Sequence, residues 1–233
     1  MNILITGAGK GIGYQTVVEF IRHQNHTIIA VSRNSEHLSR LTEECRLLNS
    51  DATVIPLVFD VASGDYTTFF KNVSGKVSHI DILINNSGTL INKPVEQCTG
   101  ADFDVTFGVN VKGAFLMTIA MLPLLRSASH IVNISSMGGF QGSVKFPGLA
   151  LYSASKGALA ILTECLALEM GSRDIKVNCL ALGSVQTEMF TSAFPGYKAP
   201  LTAGEMGVFI SDFALNGHRY FNGRILPVTI STP

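Results

Sequence analysis

Short apolar segments alternate with amphipathic helical patterns along most of the chain. The apolar segments run without interruption by polar residues, which is typical of strands that are covered on both faces of a sheet. The predicted strands are Asn2–Thr6, Thr27–Ser32, Thr53–Phe59, Ile80–Asn85, His130–Ser135, Ile175–Leu182 and Gly223–Val228.

Helical patterns fill the intervals between these strands. Strand–helix alternation over a whole chain predicts right-handed βαβ units, and therefore a parallel sheet. With no linker, repeat or low-complexity tract in the sequence, we expect a single α/β domain over residues 1–233 that carries both a cofactor site and a substrate site. Its fold would be a Rossmann-like, doubly wound parallel sheet of about seven strands with helices on both faces. After a first helix that ends near His23, the predicted helices are Ser35–Leu48, Ala62–Val77, Ala101–Arg126 and Leu149–Met170.

Composition narrows the class of protein. Of the 233 residues 46% are hydrophobic and only 15% are charged, against about 25% charged in an average soluble domain. This composition excludes a disordered chain and favours an oligomer. The formal net charge of 0 argues against a nucleic-acid partner, because such proteins work through a basic field.

Cysteine usage and the N-terminus bear on metal sites and location. Cys45, Cys98, Cys165 and Cys179 are far apart and form no Cys/His cluster, so no metal site is predicted. The N-terminus carries no basic, apolar leader pattern, and no uninterrupted apolar run approaches a membrane span. We therefore expect a cytoplasmic protein with no membrane partner.

A glycine-rich segment lies between the first strand and the first helix. Ligands of doubly wound sheets bind beyond the carboxyl ends of the strands, where glycines let backbone amides approach a phosphate. The strict G-x-G-x-x-G pattern fails here, and the pattern present is T-G-x-x-x-G-x-G. A plain glycine turn is the alternative. The predicted cofactor-binding residues of this loop are Thr6, Gly7, Gly9, Lys10, Gly11, Ile12 and Gly13.

The end of the second strand indicates which dinucleotide binds. Ser32 and Arg33 stand where NAD enzymes usually place an acidic residue for the ribose 2′-hydroxyl. Arg33 and Lys10 would instead flank a 2′-phosphate, which predicts NADP rather than NAD; the alternative is two solvated surface cations. Asp60, at the end of the third strand, is either an adenine contact or a turn residue.

Tyr152 and Lys156 lie four positions apart at the start of a predicted helix and share one of its faces. A nearby ammonium favours the phenolate, so we expect Lys156 to lower the pKa of Tyr152 and to make it an acid/base for a carbonyl or an alcohol. A serine hydroxyl at the end of the preceding strand, Ser135 or Ser136, would bond the same substrate oxygen.

Taken together and in order, these segments resemble the short-chain dehydrogenase/reductase family, in its compact single-domain branch. The resemblance covers essentially the whole chain. The matching segments are Thr6–Gly13, Asp60-Val61, Asn85–Gly88, Phe107–Gly113, Ile131–Ser136, Tyr152–Leu159 and Lys176–Gly183.

The resemblance implies a role for each matching residue. Tyr152 would be the acid/base, Lys156 would hold the nicotinamide ribose, and Ser136 would orient the substrate oxygen. Asn110 would hold a water in a proton relay to Lys156, and Thr187 would bind the nicotinamide carboxamide. A homodimer or homotetramer built on the two long helices is also implied. Further implied cofactor contacts are Val61, Asn86, Ser87, Gly88, Gly183 and Val185.

Three departures from the family pattern concern the substrate side. Sixteen positions separate Ser136 from Tyr152, which is longer than usual, and Leu182 replaces a proline. The segment 187–205 is short for a substrate-covering loop, so we expect an open pocket or a lid completed by a neighbouring subunit. Candidate pocket residues are Leu90, Met137, Phe140, Phe146, Met189 and Phe190.

The sequence thus predicts an NADP-dependent oxidoreductase that acts on a small-molecule carbonyl or secondary alcohol. The hydride would come from the nicotinamide. A non-catalytic, cofactor-binding regulator or scaffold is the alternative. A sugar-nucleotide epimerase or dehydratase is disfavoured, because only 50 residues follow Gly183 and such enzymes need an added substrate domain.

Overall fold

A seven-stranded parallel sheet forms the centre of the computed structural model, which describes residues 1–23 and 25–230. Gln24 and the last three positions of the predicted domain, 231–233, lie outside the described residues. The sheet order is β3-β2-β1-β4-β5-β6-β9, while β7 and β8 pair separately in parallel. The strands are β1 Asn2–Thr6, β2 Thr27–Ser32, β3 Thr53–Val58, β4 Ile80–Asn85, β5 Leu125–Ser136, β6 Lys176–Leu182, β7 Val185–Gln186, β8 Leu201–Thr202 and β9 Ile225–Val228.

Helices cover both faces of this sheet, as a doubly wound topology requires. A π-helical segment, Gly108–Lys112, joins the fourth helix to the fifth. The α-helices are α1 Gly11–His23, α2 Ser35–Leu48, α3 Tyr66–Ser74, α4 Gly100–Phe107, α5 Gly113–Met121, α6 Ala150–Glu169, α7 Glu188–Ala193 and α8 Ala203–Asn216.

Two apolar cores lie on opposite sides of the sheet. Ile3 and Ile5 of β1 belong to the core that also holds Ile210 of α8, whereas Leu4 belongs to the core under Met117 of α5 and Leu166 of α6. Successive side chains of a strand point to opposite faces, so a strand buried on both faces must be apolar at every position. The uninterrupted apolar segments of the sequence are explained by this arrangement.

The strand order reverses direction between β1 and β4. From β1 the chain builds outward through β2 and β3, and it then returns to place β4, β5 and β6 on the other side. In such sheets the loops after the two central strands diverge and leave a crevice at their carboxyl ends. The glycine-rich loop after β1 and residues 86–88 after β4 flank this crevice.

The predicted helix Ala101–Arg126 is wrong in two respects. The helical stretch is interrupted by the π-helical segment and ends at Met121, and Arg126 belongs to β5. The apolar residues after Met121 continue the helical spacing, but Arg126 reaches Asp81 of β4 at 2.6 Å, which fixes this stretch beside the start of β4.

The third helix also starts later than predicted, at Tyr66 instead of Ala62. Asp60 holds the preceding turn, because its carboxylate accepts from the backbone N–H of Ala62 at 2.9 Å. Asp65 then caps α3 by accepting from the N–H of Thr67, also at 2.9 Å. These carboxylates accept hydrogen bonds from nearby backbone N–H groups. They therefore favour a turn at Asp60 and a helix cap at Asp65 over a continuous helix.

Two helical stretches, Gly100–Met121 and Ala150–Glu169, are long and apolar enough to cross a membrane by length and composition. In this fold each turns one face to the sheet, where Met117 and Leu159 are buried in the protein. Their apolar character therefore serves the core on one side, while the other side remains an exposed apolar surface.

Candidate active site

A cavity of about 770 Å³ occupies the crevice at the carboxyl ends of the central strands. A bound dinucleotide and a substrate would share this volume. Three of the predicted site residues are missing from its described lining: Thr6, Gly13 and Asn110 are buried or packed behind the wall. The predicted residues that do line the cavity are Gly7, Gly9, Lys10, Gly11, Ile12, Ser32, Arg33, Asp60, Val61, Asn86, Ser87, Gly88, Ser136, Tyr152, Lys156, Gly183, Val185 and Thr187.

The glycine-rich loop has a backbone conformation and close contacts that leave no room for side chains at its glycine positions. Gly7 and Gly11 have φ angles of +69° and +59°, a conformation that L side chains rarely adopt. A Cβ on Gly13 would overlap the carbonyl oxygen of Gly7, and one on Gly9 would overlap the hydroxyl of Ser32. The loop leads directly into the N-terminus of α1, so its open concave surface fits the pyrophosphate of a dinucleotide.

Thr6 and Asn86 join the loops that follow β1 and β4. The Thr6 hydroxyl oxygen accepts from the backbone N–H groups of Asn86 and Ser87, at 3.1 and 3.0 Å. The amide of Asn86 donates to the carbonyl oxygens of Thr6 and Gly7, at 3.0 and 3.2 Å. These contacts hold the glycine loop against the other wall of the crevice.

Basic and polar groups gather at the end of the cavity beyond β2. Lys10 and Arg33 line it, and neither makes an ion pair with a carboxylate among the described residues. His37, in the first turn of α2, lines the same end and packs against Gly9. Sequence reasoning missed His37, although its place in the turn after Arg33 could have indicated it. These residues can surround an anionic group attached to the adenosine ribose.

Asp60 lies at the edge of this end of the cavity. Its carboxylate accepts from the N–H of Ala62 and from the hydroxyl of Ser63, at 2.9 and 3.1 Å. The two alternatives left open by the sequence are therefore compatible, because Asp60 forms a turn and also lines the cavity.

Ser136, Tyr152 and Lys156 come together at the other end of the cavity. The hydroxyl of Tyr152 lies beside the side chain of Ser136. The Lys156 ammonium nitrogen lies 5.9 Å from the centre of the Tyr152 ring and donates to the carbonyl oxygen of Ile134 at 2.7 Å. A tyrosine hydroxyl and a serine hydroxyl thus face one point at which a carbonyl oxygen can bind, and an ammonium lies close to the tyrosine ring.

The structure separates the two adjacent serines. Ser135 donates its hydroxyl to the backbone carbonyl of Lys156 at 2.8 Å, so it fixes α6 on β5. Ser136 is the serine that reaches Tyr152, and its hydroxyl oxygen also accepts from the N–H of Gly138 at 3.1 Å. Of the two serines, Ser136 is the one placed to contact a substrate oxygen.

Burial governs the proton affinities of this cluster. Burial raises the pKa of Tyr152 above its ordinary value, and the neighbouring Ser136 side chain opposes this only partly. Burial lowers the pKa of Lys156 to about 8. The pKa of Tyr152 is therefore shifted in the opposite direction to the expectation, because loss of hydration is the largest influence on it. At neutral pH Tyr152 keeps its proton and can donate it.

Asn110 lies in the π-helical segment behind the cluster. Its amide group donates to the Thr89 carbonyl and the Ser155 hydroxyl at 3.0 and 2.9 Å, and its carbonyl oxygen accepts from the N–H of Thr89 at 2.8 Å. A Cβ on Gly88 would lie 3.6 Å from the Asn110 oxygen and 3.5 Å from the Lys156 nitrogen. Asn110 and Lys156 therefore face the same small space beside Gly88.

Apolar side chains surround the substrate side of the cavity. Phe140 does not line it, contrary to expectation; its backbone carbonyl instead accepts from Lys145 at 2.7 Å. The short segment after Thr187 forms α7, which begins where the Thr187 hydroxyl accepts from the N–H of Phe190. The apolar lining is Leu90, Met137, Phe146, Leu149, Met189, Phe190 and Phe194, of which Leu149 and Phe194 were not predicted.

A crevice that admits a dinucleotide at one end and presents a tyrosine hydroxyl at the other defines a Rossmann-type oxidoreductase. Comparison with known proteins gives the family within this class. The model of the short chain dehydrogenase family matches residues 1–198, and the chain belongs to that family of NAD(P)-dependent oxidoreductases.

Curated relatives and solved structures agree with this assignment. Carbonyl reductase [NADPH] 2 from Sus scrofa is 33% identical over 192 residues, which are 81% of this chain and 73% of that protein. The 3-oxoacyl-[acyl-carrier-protein] reductase FabG of Thermotoga maritima is 35% identical over 189 residues, covering 80% of this chain and 74% of the relative. The crystal structure of levodione reductase superposes with a TM-score of 0.86 at 26% identity, over 97% of this chain and 95% of the other. A Burkholderia cenocepacia short chain dehydrogenase in complex with NADP has the same fold, with a TM-score of 0.86 at 24% identity, over 97% and 95% of the two chains.

Proposed function

We propose that this protein is an NADP-dependent oxidoreductase that reduces a ketone to a secondary alcohol, with both sites on one domain. The observation that carries the proposal is the contact between the Tyr152 and Ser136 hydroxyls beside Lys156, inside a crevice that fits a dinucleotide. The pig relative is named as an NADPH carbonyl reductase, and the Thermotoga maritima relative as a 3-oxoacyl reductase. A cytoplasmic location stays a prediction from the sequence.

Each residue of the cluster has one task in this proposal. A bound nicotinamide would supply the hydride to the carbonyl carbon. Ser136 holds the carbonyl oxygen, and Tyr152 donates its proton to that oxygen as negative charge develops there. The Lys156 ammonium stabilises the phenolate that remains. Because burial keeps the pKa of Tyr152 above its ordinary value, Tyr152 carries at neutral pH the proton that reduction needs.

The preference for NADP rests on Lys10 and Arg33, which have no carboxylate partner within the described part of the chain. We expect Arg33→Ala to weaken NADPH binding by about 10- to 100-fold, since a hydrogen-bonded contact to a charged group contributes about 1.5–3 kcal/mol. NADH binding should stay nearly unchanged, because NADH carries no 2′-phosphate. Fluorescence titration of the reduced nicotinamide with both nucleotides measures this difference.

Arg40→Ala is the matched control for this experiment. Arg40 lies on α2, the helix that follows Arg33, and it is exposed like Arg33 but does not line the cavity. Equal affinities of the wild type and of Arg33→Ala for NADPH would contradict the proposed 2′-phosphate site. If neither nucleotide binds at submillimolar concentration, the proposed function itself is wrong.

An incomplete substrate side, with a short segment after Thr187, would favour the alternative of a non-catalytic regulator. This segment forms α7 and supplies Met189 and Phe190 to the cavity wall, so the site is not left incomplete on that side. A protein that binds NADPH but reduces no ketone would restore the alternative.

We further propose that the exposed faces of α5 and α6 join subunits into a homodimer or homotetramer. Phe115 and Ile119 of α5 lie one turn apart and are exposed, as are Ile161 and Leu168 of α6, the latter at 85% exposure. Exposed apolar surface of this kind marks an interaction site.

We expect sedimentation equilibrium of the wild type to give two or four times the subunit mass of 25.0 kDa. Ile161→Glu should shift the protein towards the monomer, because a carboxylate buried at an apolar interface is costly. Leu47→Glu, on the exposed face of α2, is the control and should leave the mass unchanged. A wild type that is monomeric at micromolar concentration would rule the interface out.

A further inference from the structure

A second cleft, of about 790 Å³, lies beside the catalytic cavity and has no part in the steps described so far. Its walls come from the segment 92–96 before α4, the segment 145–150 and the first turns of α6. Ser153 and Ala154 of α6 form its floor, next to Tyr152 in the chain. A volume in this range can hold a small organic molecule.

The two cavities share three lining residues, Gly138, Phe146 and Leu149. A Cβ on Gly138 would lie 3.1 Å from the hydroxyl of Ser153, 3.5 Å from that of Ser136 and 3.8 Å from the ring of Tyr152. The partition is therefore one residue thick beside the reacting groups, and the close contact with Ser153 leaves little space for a side chain at Gly138. Phe146, 49% exposed, forms the other part of the partition.

Hydrogen bonds hold the walls of the second cleft in place. The N–H of Lys93 donates to the carbonyl of Gly148 at 2.9 Å, and a Cβ on Gly148 would overlap the Asn92 side chain. The Asn92 amide in turn donates to the carbonyl of Ala193 in α7 at 2.8 Å. These hydrogen bonds are present without a ligand, so the cleft is preformed. Through Asn92 it is connected to α7, the helix that contributes Met189 and Phe190 to the catalytic cavity.

The chemistry of the cleft favours an uncharged occupant. Glu96 and Lys145 are the charged side chains among its described lining residues. Lys145 is already engaged, because its ammonium donates to the Phe140 carbonyl and to the carbonyl and hydroxyl oxygens of Ser143, at 2.7, 3.1 and 2.6 Å. The remaining walls are mainly apolar, and they include Pro94, Val95, Phe146, Pro147 and Leu149.

We propose that this cleft binds the remote, apolar part of an uncharged ketone whose carbonyl lies at Ser136 and Tyr152. The inference rests on the proposed ketone reductase function. The catalytic cavity must hold the dinucleotide as well as the reacting end of the substrate, so little room remains there for a second ring or a long alkyl chain. Because the two cavities adjoin at Gly138 and Phe146, a group that extends from the reacting end past Phe146 would lie in the second cleft.

Comparing kcat/KM for cyclohexanone and 4-phenylcyclohexanone distinguishes binding in this subsite from the catalytic step. Both present the same ring ketone, and only the second carries an apolar extension. We expect the wild type to reduce 4-phenylcyclohexanone with a kcat/KM at least about tenfold higher, as is usual when an apolar group fills a pocket. Val95→Trp, which fills the cleft, should abolish this advantage and leave kcat/KM for cyclohexanone within about twofold.

Val144→Trp is the matched control. Val144 is 53% exposed in the same region and lines neither cavity, so this variant should keep the preference of the wild type. Equal kcat/KM values for the two ketones in the wild type would overturn the proposal. An equal loss for both ketones in Val95→Trp would overturn it as well.

Isothermal titration calorimetry tests the subsite by ligand affinity alone, in an enzyme that does not turn the ketone over. In the Tyr152→Phe enzyme saturated with NADPH, 4-phenylcyclohexanone should bind at least about tenfold more tightly than it does after Val95→Trp is added. Unchanged affinity would contradict the subsite. Failure of the wild type to reduce either ketone would contradict the proposed function instead, and the calorimetric comparison would then decide on the cleft alone.

Discussion

Tyr152→Phe is expected to lower kcat for ketone reduction by about 100- to 10,000-fold, the range that a positioned general acid contributes. The substitution removes one oxygen and keeps the ring, so packing around the ring is preserved. Since Ser136 and Lys156 remain, binding of substrate and NADPH should change by less than about threefold. Steady-state kinetics together with a nicotinamide titration separates the two effects.

Tyr197→Phe is the control for the loss of a phenolic hydroxyl. Tyr197 is exposed and lies outside the lining of the catalytic cavity, so this variant should retain the activity of the wild type. A Tyr152→Phe enzyme with a kcat within about fivefold of the wild type would show that another group protonates the alcohol oxygen.

Gly13→Val is expected to weaken NADPH binding by about 100-fold or more. A side chain here would overlap the carbonyl oxygen of Gly7 and the amide of Asn86, so the loop must move away from the wall that Thr6 and Asn86 hold. Overpacking of this kind costs about 1–3 kcal/mol, and moving backbone costs more than moving a side chain. The effect on binding is measured by nicotinamide fluorescence.

The fold of this variant must be checked apart from its binding. We expect Gly13→Val to unfold at a somewhat lower temperature than the wild type and to gain almost no stability from saturating NADPH, whereas the wild type gains several degrees. Gly171→Val is the control, because a Cβ on Gly171 meets no atom within 4 Å. NADPH affinity in Gly13→Val equal to that of the wild type would refute the assignment of the loop.

The sheet could be predicted from the sequence because strands buried on both faces must be apolar at each position. Ile80–Asn85 was predicted with its observed bounds for this reason. The same pattern does not locate the end of the helix that was predicted to continue to Arg126 but ends at Met121. The apolar residues after Met121 satisfy helical spacing and buried-strand spacing equally well. A contact distant in sequence, between Arg126 and Asp81, decides between the two.

For the active site, the sequence indicates which residues lie close together, but it does not indicate how far each side chain is buried from water. The pKa of Tyr152 depends on burial by groups from several elements, and no local pattern reports that burial. The choice between Ser135 and Ser136 follows from the pleat of β5, which sends alternate side chains to opposite sides. The second cleft could not be predicted from the sequence, because its walls come from segments that are far apart in the chain. Backbone hydrogen bonds, such as that from the N–H of Lys93 to the carbonyl of Gly148, join these segments, and backbone bonds depend little on residue type.

β5 holds Lys156 at two places. The ammonium donates to the carbonyl oxygen of Ile134, and the backbone carbonyl of the same lysine accepts from the hydroxyl of Ser135. Neighbouring residues of one central strand therefore fix both the ammonium and the backbone carbonyl of one catalytic residue. The alignment of Lys156 is in this sense a property of the sheet, because both contacts are made to β5 and not to a surface loop.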